Sequence, residues 1–133
     1  MSESDNKALV RAYLQDVYVN HDLGALDRYL APDYIQHSQH ATPGREGVKA
    51  FFTGLWQAFT EQRFEVDDVI AEGDKAVWRW TMRARHTGPF YGVPATGKTI
   101  TATGISIVRI AGGRFVEHWG EQDTAGLMAQ LRA

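Results

Sequence analysis

The chain contains no cysteine. That excludes disulfides, thiolate nucleophiles and zinc sites built on Cys. It has no run of about 18 apolar residues, the length a helix needs to cross a bilayer. It lacks an excess of either charge: 14 basic against 16 acidic residues leave a net charge of −2, too little positive potential to hold nucleic acid or an anionic membrane. The opening residues Met1 to Lys7 are polar and acidic, without the basic-then-apolar order of a signal peptide, so cytoplasm is the expected compartment. With 133 residues, one domain over 1–133 is expected, long enough to bury a core without covalent staples.

What is present reads as helices first and strands after. Leu9, Tyr13 and Val17 recur at i, i+4 beside Val10, Leu14 and Tyr18, which predicts a helix over 5–20. Asp22 is placed to cap a second, shorter helix through Leu26 and Leu30, ended by Pro32. Asp33 to His37 is a short extended segment, followed by a loop over 38–41. Thr42-Pro43 reads as the cap and first residue of a third helix carrying Val48, Phe52, Leu55 and Phe59.

From Arg63 the period changes to two, with an irregularity near Asp67-Asp68 and a turn at Gly73-Asp74. Over 76–86, Ala76, Trp78, Trp80, Met82, Ala84 and His86 share one face, expected to be buried. Arg79, Arg83 and Arg85 share the other. Gly and Pro make 87–98 a loop, and 99–110 is a Thr- and Ile-rich strand. Gly112-Gly113 supplies a two-residue hairpin turn to a last strand through Trp119. Residues 124–131 close as a short helix. This segregation predicts an α+β fold, with helices on one face of an antiparallel sheet.

The last strand carries the candidate chemistry. By simple alternation Trp119 and Glu121 share a face, with Asp123 beyond them. Asp123 has two readings of equal weight. It could cap the final helix, or be a carboxylate on a cavity floor, where an apolar wall raises its pKa and makes it a usable base. Glu121 is the spare carboxylate. His37 and His40 have the spacing of a metal pair and would need a third ligand such as His86, His118 or Asp123; the alternatives are a polar group on a cavity wall or a solvated ring, and no metal is expected. Gly92 to Thr99 matches a phosphate-loop pattern by letter, but Pro94 removes a donor amide and a strand, not a helix, follows, so a strand-to-strand loop is expected.

Asp33-Tyr34-Ile35-Gln36-His37, Pro43-Gly44-Arg45-Glu46-Gly47, His86-Thr87-Gly88 and Gly113-Arg114-Phe115-Val116-Glu117-His118-Trp119 with Asp123 together resemble the SnoaL-like polyketide cyclases, within the nuclear-transport-factor-two-like superfamily. The resemblance implies a cone-shaped, curved antiparallel sheet with N-terminal helices over its concave face, enclosing a pocket. It implies cofactor-free intramolecular aldol closure of a small apolar carbonyl compound. An aspartate at the end of the last long strand is the acid/base there, and Asp123 stands at that place. His37 is carried over as a polar pocket residue assisting it. Tyr13, Trp56, Trp80, Phe90 and Trp119 are the expected pocket walls. Rival readings are hydrolysis or dehydration in the same pocket, as of an epoxide, and a binding module without catalysis. A homodimer is expected through the outer sheet face bearing Arg79 and Arg83.

Overall fold

Ser2 fixes the start of the first helix. Its hydroxyl accepts from Asp5 N at 3.0 Å while the Asp5 carboxylate accepts from Ser2 N at 3.1 Å, a reciprocal cap. The computed structural model describes residues 2–37 and 44–133. The expected loop over 38–41, the Thr42-Pro43 cap and His40 lie outside the described residues.

The helix expected over 5–20 is two pieces. Helix α1 (Glu3–Tyr13) runs into a π-helical stretch, Leu14–Val19, whose wider turns shift the phase of the side chains. Val10, Tyr13, Leu14 and Val17 remain buried across the junction. The Asp22 carboxylate accepts from Ala25 N, as expected of a cap, ahead of a 3-10 turn (Leu23–Ala25) and α2 (Leu26–Tyr29). Strand β1 (Leu30–Gln36) begins before Pro32, so the helix ends earlier than the proline. Helix α3 (Gly44–Ala58) leads directly into β2 (Phe59–Glu72), then β3 (Lys75–His86), β4 (Thr99–Ala111), β5 (Arg114–Gln122) and α4 (Thr124–Arg132).

The five strands lie in the order β1-β5-β4-β3-β2. Four pair antiparallel as expected, while β1 adds to the edge parallel to β5. Gly112 and Gly113 both take positive φ, 60° and 74°, the backbone a two-residue hairpin demands. The register slips between Val66 and Asp68, where the sequence shows its irregularity. On β3 and β4 alternate side chains are buried: Ala76, Trp78, Met82, Ala84 and His86, then Ile100, Ala102, Ser106, Val108 and Ile110. The opposite face carries cross-strand ion pairs. Arg79 reaches Asp68 at 2.8 Å and Arg83 reaches Glu65 at 3.2 Å, exposed cross-strand pairs of small energetic worth, about 0–1 kcal/mol each.

Helices α1 and α3 cover one face of this unclosed, curved sheet and α4 packs on β4. Two apolar clusters result. One gathers Tyr13, Leu14, Leu26, Phe52, Trp78 and Phe115 beneath α1 and α3. The other gathers Phe59, Met82, Ile100, Ala102, Leu127 and Leu131 beneath α4. Leu55, Phe64 and Trp80 pack against both, and all three line the cavity described next. The 87–98 segment is a strand-to-strand loop, as expected. Its ends are tied by His86 N–H to Lys98 O at 2.8 Å and Gly97 N–H to His86 O at 2.8 Å, and Phe90 packs on Phe59 with ring centres 4.9 Å apart.

Candidate active site

A cavity of about 370 Å³ lies between the helices and the sheet, within the size range of small-molecule sites. Its wall is largely aromatic: Tyr13, Tyr18, Phe52, Trp56, Trp80 and Phe90. Phe51 and Tyr91 line it too and remain exposed. Trp80 can lie where it does because its cross-strand partner is Gly104. A Cβ there would come within 2.4 Å of the indole, so the ring is laid directly on bare backbone.

The polar groups inside the wall are uncharged. Burial pushes the Tyr13 phenol well up and the Tyr18 phenol to about 12, and it raises Tyr34 as well. All three are therefore neutral O–H groups at physiological pH. Tyr34 donates to Gln36 Oε1, and both line the cavity, as do Gln62 and Ser106.

His118 also lines the cavity, on the sheet side. Burial, with the nearby His37 adding to it, lowers its pKa to about 4, so the ring is neutral at pH 7. Its Nδ1 is buried and has no hydrogen-bond partner among the described residues. The ring leans over Gly120, where a Cβ would meet Cε1 at 2.7 Å. The sign of the resulting pH effect is fixed. The unfolded chain takes up the proton near pH 6.5 and the native ring resists it down to about 4, so stability falls as pH drops through that window. The loss attributable to this ring is roughly 3 kcal/mol. Urea unfolding at pH 7 and pH 4.5 checks it: the drop in the wild type exceeds that in His118→Gln.

The structure corrects two expected wall residues. Trp119 and His37 do not line the cavity; they stack on each other with centres 5.2 Å apart, on the outer face. The cause is one residue. An unbroken hairpin from Ala111–Arg114 and Ile110–Phe115 would set Trp119 opposite Ser106, facing inward. Instead Arg109 pairs with Glu117, so Val116 is an extra residue in β5. This bulge reverses the parity beyond it. Val108 faces His118 and Ser106 faces Gly120, so His118 and Gly120 point inward and Trp119 outward.

His37 Nε2 lies 2.6 Å from Glu117 Oε2, and Glu117 Oε1 accepts from Arg109 Nε at 3.0 Å. The His37 hydrogen bond, then the Arg109 one, hold the Glu117 carboxyl below its usual range. With His37 so engaged, His37→Ala is expected to leave cavity binding of an aromatic ligand within about threefold of wild type, a difference of about 0.6 kcal/mol by the affinity relation. Fluorescence titration measures this, and a tenfold loss would contradict the placement.

Asp123 is not on the floor. It follows β5 as the N-cap of α4: Oδ1 accepts from Gly126 N at 2.9 Å, and its own N–H donates to Thr103 O at 3.0 Å. The residue is exposed, yet it borders the cavity beside Thr124. The capping reading and the cavity-bordering part of the other thus hold together, while the enclosed floor is corrected to a rim. Glu121 also borders the cavity, but it pairs with exposed Ile105 on the outward parity. Among the described residues no group of three or more His, Asp or Glu is arranged to hold a metal ion.

The family model described as SnoaL-like polyketide cyclase matches residues 8–131. Among curated proteins, the aklanonic acid methyl ester cyclase DnrD of Streptomyces peucetius is 30% identical over 104 residues, 77% of this chain and 71% of that protein. The aklanonic acid methyl ester cyclase DauD of Streptomyces sp. (strain C5) is 29% identical over 109 residues; the match spans 80% of this chain and 66% of DauD. Among solved structures, TsrD from Streptomyces laurentii superposes with a TM-score of 0.89 at 33% identity, covering 98% of this chain and 97% of TsrD. With the family model matched over nearly its whole length and the same fold in a solved relative, the chain belongs to the SnoaL-like polyketide cyclase family.

Proposed function

We propose that this cavity carries out a cofactor-free intramolecular aldol closure on a small apolar carbonyl compound, with Asp123 as the acid/base. The observation that carries the reading is a carboxylate bordering an aromatic cavity whose inner polar groups are neutral. The relatives DnrD and DauD, named as ester cyclases, support the substrate class.

Asp123 removes a proton from a carbon flanked by carbonyl groups. The electron pair left there forms the new C–C bond to a second carbonyl carbon of the same molecule. The proton then goes to the oxygen of that carbonyl, which becomes a hydroxyl, and Asp123 is an anion again. Nothing is gained or lost overall, so no redox partner or second substrate is required. Holding both ends of one molecule in one cavity removes the entropic cost of bringing them together. The cap bond from Gly126 N–H to Oδ1 fixes the carboxylate's orientation, with Oδ2 against Gly126, where a Cβ would meet it at 2.2 Å. Glu121 is the weaker candidate because its strand position sends the side chain outward.

Incubation with aklanonic acid methyl ester tests this. Ring closure gives a product of unchanged mass and altered retention. An acid lighter by one CH2, with methanol released, would instead indicate ester hydrolysis, a product lighter by one water dehydration, and bound but unchanged ester a binding module.

We also propose a homodimer through the outer sheet face. Ile35 and Ile105 there are each 48% exposed. Light scattering at micromolar concentration is expected to give the mass of two chains; the mass of one would contradict it.

A further inference from the structure

His118 has no part in the reaction as described above, and among the described residues no other histidine lines the cavity. Three independent features set it apart. Its side chain faces the ligand space, on the inward parity created by the Val116 bulge. Its Nδ1 is buried and makes no hydrogen bond within the described residues. The space its ring occupies exists because residue 120 is glycine; any side chain there would collide with Cε1 at 2.7 Å. Nδ1 is shut off even with the cavity empty, so Nε2, the ring nitrogen that is not shut off, is the one left to meet a group on the ligand.

We propose that His118 is a second catalytic residue of the aldol reading: its ring meets the electrophilic carbonyl oxygen of the substrate and donates an Nε2–H hydrogen bond to it as charge develops there. The proposal rests on that reading for the identity of the oxygen. When the C–C bond forms, the π electrons of the attacked carbonyl move onto its oxygen. His118 keeps its proton and lends it as a hydrogen bond, while the proton that finally neutralises the oxygen is the one Asp123 removed.

A neutral ring suits this role better than a charged one. A buried imidazole that resists protonation is a weak base at pH 7, but it remains a donor fixed in place before the charge appears. Donors aimed in advance at a developing oxyanion need no reorganisation during the step. The Trp78 indole beneath, 6.0 Å from the imidazole, limits how far the ring can tilt away.

The test uses the full chain with ¹⁵N-labelled histidine and aklanonic acid methyl ester as probe. At saturation, with cavity occupancy followed by tryptophan fluorescence, the His118 Nε2 resonance is expected to shift while remaining that of a protonated nitrogen. His118→Phe is expected to lower kcat roughly 10²- to 10³-fold with KM within about threefold. His118→Gln, whose amide retains an N–H donor, is expected to recover about tenfold of that loss. An unmoved Nε2 at full occupancy overturns the proposal, as does a His118→Phe variant with wild-type kcat. If Nε2 shifts but the ester is returned unchanged, the contact stands and the aldol reading fails.

Discussion

Asp123→Asn is expected to lower turnover of the ester by about 10²- to 10⁴-fold, the usual worth of one positioned acid/base group. The fold is expected to survive unchanged. Asparagine caps a helix about as well as aspartate, and its amide oxygen can still accept from Gly126 N–H, which Oδ1 does at 2.9 Å. Asp123→Ala removes both roles, costing about 1 kcal/mol of stability in addition to the lost proton transfer. The pair separates the two functions that this one side chain combines. Wild-type turnover in the asparagine variant would leave Asp123 as a cap only. Loss of turnover with a large fall in melting temperature would mean that the cap, not the base, was removed.

Trp78→Ala is expected to cost about 3–5 kcal/mol of unfolding free energy, the range for deleting a large aromatic from a core. Trp78 is fully buried and central to the larger cluster. Its ring lies 6.1 Å from Tyr13, 6.4 Å from Phe115 and 6.0 Å from His118, so it backs both a wall residue and the imidazole. Domains of this size have roughly 5–15 kcal/mol of total stability, so the variant is expected to be marginal. Its Nε1 is buried without a partner among the described residues, so Trp78→Phe gives up no hydrogen bond and is expected to cost less than the alanine change. Urea unfolding measures both. A cost under about 1 kcal/mol for the alanine change would show that the neighbouring rings collapse into the space, against the rigid support described here.

Much of this architecture is legible in the residues. The alternation in β3 is unbroken from Ala76 to His86, and the buried face is the one that carries the indoles. Gly112-Gly113 and Gly73 mark their turns because few other residues adopt those backbone angles. Asp67-Asp68 marks a slip because two successive acids interrupt the apolar period. The phosphate-loop letters fail for a reason visible beforehand, since the residues after them alternate as a strand.

The site was less legible, and Val116 accounts for most of the difference. A bulge adds one residue without any change in composition. Val116 is as good a strand residue as its neighbours, so nothing local announces it. Its effect is to exchange Trp119 for His118 as the cavity residue, and with it His37 moves from an expected wall to a stack on the outer face. The parallel pairing of β1 is similarly invisible, because it depends on where the chain returns and not on its own seven residues. The π-helical turn at Leu14–Val19 is hidden because apolar spacing at i, i+4 does not distinguish it from a regular helix. Tyr13, Trp56, Trp80 and Phe90 were found because large aromatics on the core side of their elements have few other places to go.

The central claim is that Asp123 takes a proton from carbon at the mouth of this cavity. The measurement that tests it most directly is deuterium incorporation in heavy water at the carbon flanked by the ester's carbonyl groups, compared between the wild type and Asp123→Asn. The account predicts that wild type speeds incorporation well above the rate in buffer and that Asp123→Asn does not. Equal acceleration by the two proteins would contradict it.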